Sequence, residues 1–219
     1  MEEGYQFINN IVTLVNDAYS RGEKRMWRSQ YVKRTEFGEM KDFMLKDRII
    51  VAYSKAALKG QGGEKKTDGK KEDETNAEDE IEKNLTCPAG IVYCDVNQDR
   101  ENEIGELGML CATEEMTGKG LGNFLIRAAE KRARRYGCRW SRLELLTPRD
   151  WEHPVKKILH AWYTRLGYIQ GDPEPFEKAY PDKAPDLAYA CTFTVYLKGL
   201  YDPIDQGRCT ANWMQEYRC

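Results

Sequence analysis

The 219-residue sequence has little net charge and no long apolar run, and each absence excludes a class of protein. Its 34 basic residues nearly balance 36 acidic ones, for a formal charge of −2. Binding to a polyanion by charge alone needs a basic excess, so we expect no nucleic-acid partner. No stretch approaches the roughly 18 apolar residues that a membrane-spanning helix needs. Because the first residues, Met-Glu-Glu-Gly, also do not resemble a secretory signal, we expect a cytoplasmic protein without a membrane partner.

Paired cysteines and clustered histidines are also lacking. The 7 cysteines form no C-x-x-C pair, and an odd number scattered over this length makes a poor disulfide framework, so we expect reduced thiols. The 2 histidines, His153 and His160, have no cysteine or carboxylate at ligand spacing. We therefore expect no metal site.

One segment accounts for much of the low apolar content of 41%. Residues 59–84 carry 15 charged residues among 26, and only Ala77 and Ile81 are apolar. Such a composition predicts a charged, disordered insertion. Without it the composition is that of an ordinary globular domain. We expect one domain over residues 1–199, with the insertion between two of its strands, and a C-terminal tail over residues 200–219.

The spacing of apolar residues predicts a mixed α/β domain without internal repeats. Helices are expected at residues 5–19, 37–45, 123–136 and 155–166, and strands at 49–53, 89–94, 104–112, 143–146 and 189–197. The two strands that flank the insertion would otherwise form a hairpin.

A glycine-rich loop, Thr117 to Gly122, joins the strand at 104–112 to the following helix. In such a loop the backbone N–H groups can approach an anion closely, and the helix N-terminus adds positive partial charge. This arrangement favours a pyrophosphate ligand, although a purely structural tight turn is the alternative reading. The loop matches neither the Walker P-loop pattern nor the Gly-x-Gly-x-x-Gly dinucleotide pattern.

Three blocks in this order resemble the GNAT superfamily of N-acetyltransferases: Glu106 to Ala112 (E-L-G-M-L-C-A), Thr117 to Gly122 (T-G-K-G-L-G) and Trp162 to Tyr168 (W-Y-T-R-L-G-Y). The superfamily's phosphate loop reads Gln/Arg-x-x-Gly-x-Gly/Ala, and Gly120 and Gly122 fit its end, whereas Thr117 stands where Gln or Arg is usual. The resemblance implies a single α/β (α+β) domain with a twisted mixed central sheet flanked by helices. It also implies acetyl-CoA as the acyl donor.

The resemblance further implies which residues hold the cofactor. Backbone groups of Leu110 and Ala112 would hold the pantetheine, and the Leu110 N–H would polarise the thioester carbonyl. The complete implied set is Leu110, Cys111, Ala112, Thr117, Gly118, Lys119, Gly120, Leu121, Gly122, Asn123 and Lys156.

Two residues are candidates for proton transfer. Glu106 matches a glutamate that acts as the base in several family members, and Tyr163 matches the usual tyrosine acid. The alternatives are a strand glutamate that faces solvent or pairs with Arg139 or Arg142, and a tyrosine that only packs. A covalent route through Cys111 is a further alternative, whereas the resemblance implies direct transfer.

The acceptor site is expected opposite the cofactor, in the loop after the first helix. Its candidate residues are Glu23, Arg25, Trp27 and Tyr31, which would suit an apolar or cationic group or a carboxylate; an ordinary surface loop is the alternative. The expected substrate is a small-molecule or amino-acid-like primary amine. A protein lysine or N-terminal amine, a non-catalytic CoA-binding module and a site for another nucleotide are the alternatives.

Overall fold

A computed structural model describes residues 2–29, 33–53, 87–99, 101 and 103–201. The predicted insertion, all but two residues of the predicted tail, and Tyr31 lie outside these ranges. None of the helices within them is long and apolar enough to cross a membrane.

The described residues form the helices and strands of one mixed sheet domain. The helices are α1 (Glu2–Gly22), α2 (Phe37–Leu45), α3 (Leu121–Arg135), α4 (Pro154–Arg165) and the short α5 (Phe176–Ala179). The strands are β1 (Ile49–Ala52), β2 (Gly90–Asp99), β3 (Ile104–Ala112), β4 (Trp140–Pro148), β5 (Ile169–Pro175) and β6 (Cys191–Gly199). Single 3₁₀ turns occupy Glu114–Met116 and Ala184–Asp186.

The six strands form one sheet in the order β1-β2-β3-β4-β6-β5. Strands β1 and β2, which flank the insertion, pair antiparallel from Ile49 opposite Tyr93 to Ala52 opposite Gly90, so the predicted hairpin pairing is confirmed. The pairing of β3 with β4 is parallel, and the other neighbours are antiparallel. The predicted mixed sheet flanked by helices is therefore confirmed.

Helices cover both faces of this sheet. Leu125, Ala129 and Ala133 of α3 recur at helical spacing on the buried side of that helix and pack in one core cluster with Leu107 of β3. Helix α4 joins the same cluster through Tyr163. On the opposite face, α1 and α2 pack in a second cluster that includes Met109 and Cys111 of β3.

A β-bulge in β3 explains why its side chains change face. Ile91 of β2 lies opposite Cys111, and Tyr93 lies opposite Gly108, so two steps along β2 match three along β3. Within the bulge, Met109 has a φ of 45°. The alternation of side chains therefore reverses between Leu107, which faces α3, and Met109, which faces α1.

The parallel pairing of β3 with β4 is short. It covers Ile104–Glu106 of β3 opposite Trp140–Arg142 of β4. Beyond these residues β3 continues beside β2, and β4 continues beside β6. Beyond these three residue pairs, β3 and β4 diverge, and a cleft opens between them.

The sequence prediction missed strand β5 and made two strands too short: β4, and β2, which was expected at 89–94 and extends to Asp99. Strand β5 reads Ile-Gln-Gly-Asp-Pro-Glu-Pro, and its residues are mostly exposed at the edge of the sheet, where proline is tolerated. Its composition therefore carries no strand signal. Strand β4 begins three residues before the predicted start, because Trp140, Ser141 and Arg142 contain no apolar run to mark a strand but still pair with β6.

We predict that Gly105→Ala destabilises the fold by about 1–3 kcal/mol, because an added Cβ would lie 2.7 Å from the Ala133 Cβ of α3. Gly108→Ala is the matched control on the same strand, since its nearest contact would be an ordinary 3.7 Å to Tyr93. Urea unfolding checks both variants. Equal losses of stability would contradict the close packing of α3 on β3.

Candidate active site

The divergence of β3 from β4 opens a continuous cavity of about 930 Å³. The cavity is lined by the last seven residues of β3, by Leu143 to Leu146 of β4, by the start of α3 and by one side of α4. The glycine loop, the end of α1 and the aromatic segment around α5 also line it, together with residues of α2, β2 and β6. The cleft therefore brings together chain segments that are more than 100 residues apart.

The glycine loop forms one end of this cavity. Gly118 and Gly120 have φ angles of 75° and 86°, a conformation that favours glycine. Helix α3 begins at Leu121, and the Phe124 N–H donates to the Gly120 carbonyl at 3.2 Å. The N–H groups that precede Phe124 in the first turn have no acceptor within the helix. They are suited to an anionic ligand, as the sequence predicts.

Trp162 of α4 holds the loop in place, a role that sequence reasoning missed. Its ring lies so close to Gly122 that an added Cβ would be 2.9 Å from the ring atom Cη2. Its Nε1 donates a hydrogen bond to Asn123 Oδ1 at 2.7 Å. Trp162 lies in the same sequence block as Tyr163, so the sequence did point to this region. Its contacts Gly122 and Asn123 are about 40 residues away and could not be read from the sequence.

Glu106 lies at the point where the cleft opens. It occupies the last position of β3 that pairs with β4, its side chain is half-buried, and it lines the cavity. The two arginines considered as partners for Glu106 each bind another carboxylate: Arg142 donates to Glu144, and Arg139 pairs with Glu103 at 3.5 Å. Glu106 therefore lies where the paired part of β3 ends and the cavity begins.

Tyr163 lies on α4 and contributes to both the core and the cavity. Its side chain is buried, and burial raises the pKa of Tyr163 well above 10, with a further increase from the hydroxyl groups of Tyr19 and Tyr196. The phenol therefore remains protonated at neutral pH and can act as a hydrogen-bond donor.

Cys111 is buried in β3, next to the cleft. Burial raises the pKa of its thiol to about 12, although a hydrogen bond from the Ile91 backbone acts in the opposite direction. At neutral pH the group is a thiol rather than a thiolate, which disfavours the covalent alternative.

A buried ion pair connects the acceptor loop to α4. Lys156 Nζ donates to Glu23 Oε1 at 2.9 Å, and Trp27 Nε1 donates to Glu23 Oε2 at 2.7 Å. The side chains of Lys156 and Glu23 are only 7% and 12% exposed. All three residues line the cavity. Because the Lys156 ammonium binds Glu23, this geometry does not support the predicted contact between Lys156 and the cofactor.

The other predicted site residues divide between the cavity and its surroundings. Leu110, Ala112 and Thr117 line the cavity, whereas Leu121 is buried in the core and Lys119 is exposed outside the lining. Arg25, predicted at the acceptor site, lies outside the lining too; its guanidinium carbon is 5.9 Å from the centre of the Trp151 ring. In the part of the chain that the structure describes, no group of three or more His, Cys, Asp and Glu side chains could hold a metal ion.

The sequence comparison agrees with this geometry. Residues 61–168 match the model of the Acetyltransferase (GNAT) family. The chain belongs to the GNAT family. The match includes the bulged strand β3, the glycine loop, α3 and Tyr163, which are the elements that build the cleft. No curated protein matches the chain by sequence.

Solved structures show the same GNAT fold at low identity. The smu.2055 protein of Streptococcus mutans is 12% identical, with a TM-score of 0.57 over 89% of this chain and 94% of its own. An N-acetyltransferase of Staphylococcus aureus is 14% identical, with a TM-score of 0.53 over 89% and 93%. A chain of the NatC complex is 16% identical, with a TM-score of 0.52 over 90% and 92%. By contrast, the chain spans only 64% of a GNAT-family protein from Desulfovibrio desulfuricans and 58% of a Bacillus anthracis protein solved with acetyl coenzyme A.

We predict that Gly122→Ala weakens the binding of acetyl-CoA to this GNAT protein and destabilises it by about 1–3 kcal/mol, because the new methyl group would press on the Trp162 ring. Gly38→Ala, in an open helical position of α2, is the control. Calorimetric titration and urea unfolding measure the two effects. Unchanged affinity and stability in Gly122→Ala would show that Trp162 does not constrain the loop.

We also predict that Lys156→Met destabilises the protein by about 3 kcal/mol, because it leaves the Glu23 carboxylate buried without its cation. The adjacent Lys157→Met should cost less than about 1 kcal/mol, since the Lys157–Glu152 pair is 66% and 69% exposed. Urea unfolding of both variants checks the difference. Equal effects would mean that the buried pair has no special energetic role.

Proposed function

We propose that this GNAT protein transfers an acetyl group from acetyl-CoA to the primary amine of a small molecule by direct attack. The observation that carries the proposal is the convergence of Glu106, Tyr163 and the glycine loop on one cleft between diverging strands. A cleft of this kind supplies an anion cradle, an extended backbone edge and two groups able to transfer protons.

The donor side fits acetyl-CoA. The pyrophosphate would lie against the first-turn N–H groups of α3, where Gly118 and Gly120 let the backbone approach closely. The pantetheine arm contains amide groups, and beyond Glu106 the β4-facing side of β3 is no longer paired with β4. Backbone groups of Leu110 and Ala112 would pair with those amides as a neighbouring strand would.

The reaction exchanges a C–S bond for a C–N bond and needs three proton transfers: two from the nitrogen and one to the CoA sulfur. A primary ammonium has a pKa near 10, so it first gives a proton to a base, for which Glu106 is the candidate. The amine nitrogen then attacks the thioester carbonyl, whose developing negative charge the Leu110 N–H would stabilise. As the tetrahedral adduct collapses, the C–S bond breaks and Tyr163 gives its proton to the CoA sulfur. The second proton lost by the nitrogen then restores the Tyr163 phenol, so the net products are the amide, the CoA thiol and one proton held by Glu106.

The position of Glu106 favours an amine at the reacting centre. Glu106 lines the cavity where the cleft opens, and a carboxylate there attracts an ammonium group and can accept its proton. The NatC-complex structure was solved with a peptide and CoA, so a peptide amine is the alternative acceptor.

We expect Glu106→Gln to lower kcat about 10²–10³-fold, the usual contribution of a general base, while acetyl-CoA binds as before. Glu103→Gln, in an exposed residue next to the same strand, is the matched control. Release of the CoA thiol with a panel of primary amines measures turnover, and calorimetry measures binding. Wild-type turnover in Glu106→Gln would contradict the assignment of the base.

Tyr163→Phe should also lower kcat with little change in acetyl-CoA affinity, because it removes the donor to the leaving sulfur but keeps the ring in the core. Since the pKa of Tyr163 is raised, the wild-type rate should not fall through deprotonation of this group up to about pH 10. Tyr136→Phe, in an exposed side chain, is the control. Full activity in Tyr163→Phe would assign this residue to packing alone.

A further inference from the structure

Four aromatic side chains form a continuous group along one part of the cavity. They are Trp27, Phe176, Tyr180 and Phe193, and we call this group the aromatic wall. Phe176 is central, with ring centres 6.1 Å from Trp27, 5.2 Å from Tyr180 and 6.3 Å from Phe193. Tyr180 and Phe193 are 5.1 Å apart at 80°, an edge-to-face arrangement. The wall belongs to a core cluster of its own, separate from the clusters that hold α1, α3 and α4 on the sheet.

A backbone strap across two loops holds Trp27, one member of the wall. The strap consists of residues 26–28, after α1, and residues 186–188, before β6. The Arg28 N–H donates to the Asp186 carbonyl at 2.8 Å, and the Ala188 N–H donates to the Met26 carbonyl at 2.8 Å. Trp27 and Leu187 form an antiparallel bridge between these bonds, and Arg28 Nε donates to the Leu187 carbonyl at 2.9 Å.

The strap affects which acceptors can be recognised. An extended peptide commonly binds by pairing its backbone with an exposed strand edge. At the strap, Met26, Arg28, Asp186 and Ala188 already pair with each other. Trp27 is held further by Glu23, which in turn binds Lys156. Recognition beside the wall therefore depends on side chains and suits a small acceptor.

Carboxylates lie within electrostatic reach of the wall. Burial raises the pKa of Tyr180, and the negative charges of Glu144 and Glu106 raise it further, while Arg142 and Arg34 act in the opposite direction. Lys183 Nζ also lies 5.9 Å from the centre of the Tyr180 ring and lines the cavity. Glu144 already binds Arg142, so Glu106 is the carboxylate placed to attract an ammonium group, and neighbouring aromatic rings add cation–π attraction.

We infer that the acceptor is a small aromatic primary amine, whose ring packs on the aromatic wall while its amine lies toward Glu106. This inference rests on the proposed acetyl transfer and specifies its substrate class. The amine nitrogen forms the new C–N bond as the C–S bond of the donor breaks, with the proton transfers described above. Aromatic amines with and without a carboxylate would both pack on the wall in this way. In an acceptor that has a carboxylate, that group would bind Lys183.

The experiment compares matched acceptors with the full-length protein at saturating acetyl-CoA, by CoA thiol release. The pairs are 2-phenylethylamine against hexylamine and phenylalanine against norleucine, and a lysine-containing peptide tests the larger acceptor. We expect about a tenfold higher kcat/KM for the aromatic member of at least one pair. The pair that shows this preference indicates whether the acceptor carries a carboxylate, since only phenylalanine and norleucine have one.

Phe193→Leu then tests the wall itself. It should lower kcat/KM for the preferred aromatic amine about tenfold while changing that of its aliphatic partner less than threefold. Phe124→Leu is the matched control, because Phe124 is 62% exposed and lies outside the cavity lining. The acceptor preference of the unmodified protein gives an independent answer should Phe193→Leu fail to fold.

Three results would overturn the inference. Equal or better turnover of the aliphatic amines or the peptide would reject the aromatic class and leave acetyl transfer standing. An equal loss for both members of a pair in Phe193→Leu would show that the wall only supports the fold. Binding of acetyl-CoA without turnover of any aromatic amine would also reject the class, whereas no binding of acetyl-CoA would contradict the proposed function itself.

Discussion

The parting of β3 from β4 is the constraint on which the rest of the site depends. The two strands are parallel neighbours over only three residue pairs, ending at Glu106 opposite Arg142. Each strand keeps an antiparallel partner on its other side, so the sheet can open without losing its continuity. The bulge at Met109 turns the following part of β3, which brings Leu110 and Ala112 to the α3 side and Cys111 to the α1 side.

The helices convert this opening into a shaped cavity. On one face, Trp162 of α4 packs on Gly122 and binds Asn123, so the glycine loop is held from below by an aromatic ring. Across the cleft, the Lys156–Glu23 pair links α4 to the end of α1. A buried ion pair gains little net stability compared with an apolar pair, because both charges lose their hydration. Its effect here is geometric, since it fixes Trp27 beside the cavity.

Local sequence signals were sufficient for much of the fold. The bounds of α2 and β3 agree with the prediction, because helical spacing marks the first and a mainly apolar run, interrupted by Glu106, marks the second. Glycines and their neighbours also located the loop before α3. The side-chain partners were not predictable, because they depend on contacts between distant segments: Lys156 pairs with Glu23, 133 residues away, and Arg25 lies over Trp151 instead of entering the cavity. Strand β5 was missed because its prolines are acceptable only at a sheet edge.

Every proposed role requires that the cleft between β3 and β4 binds acetyl-CoA, which thermal unfolding with and without this ligand can measure. At about one hundred times its dissociation constant, a ligand that binds only the folded state stabilises that state by roughly 2.7 kcal/mol. The account predicts an upward shift of the unfolding temperature with acetyl-CoA and none with ATP or NAD. No shift at millimolar acetyl-CoA would contradict the account, and the roles proposed for Glu106 and Tyr163 would fall with it.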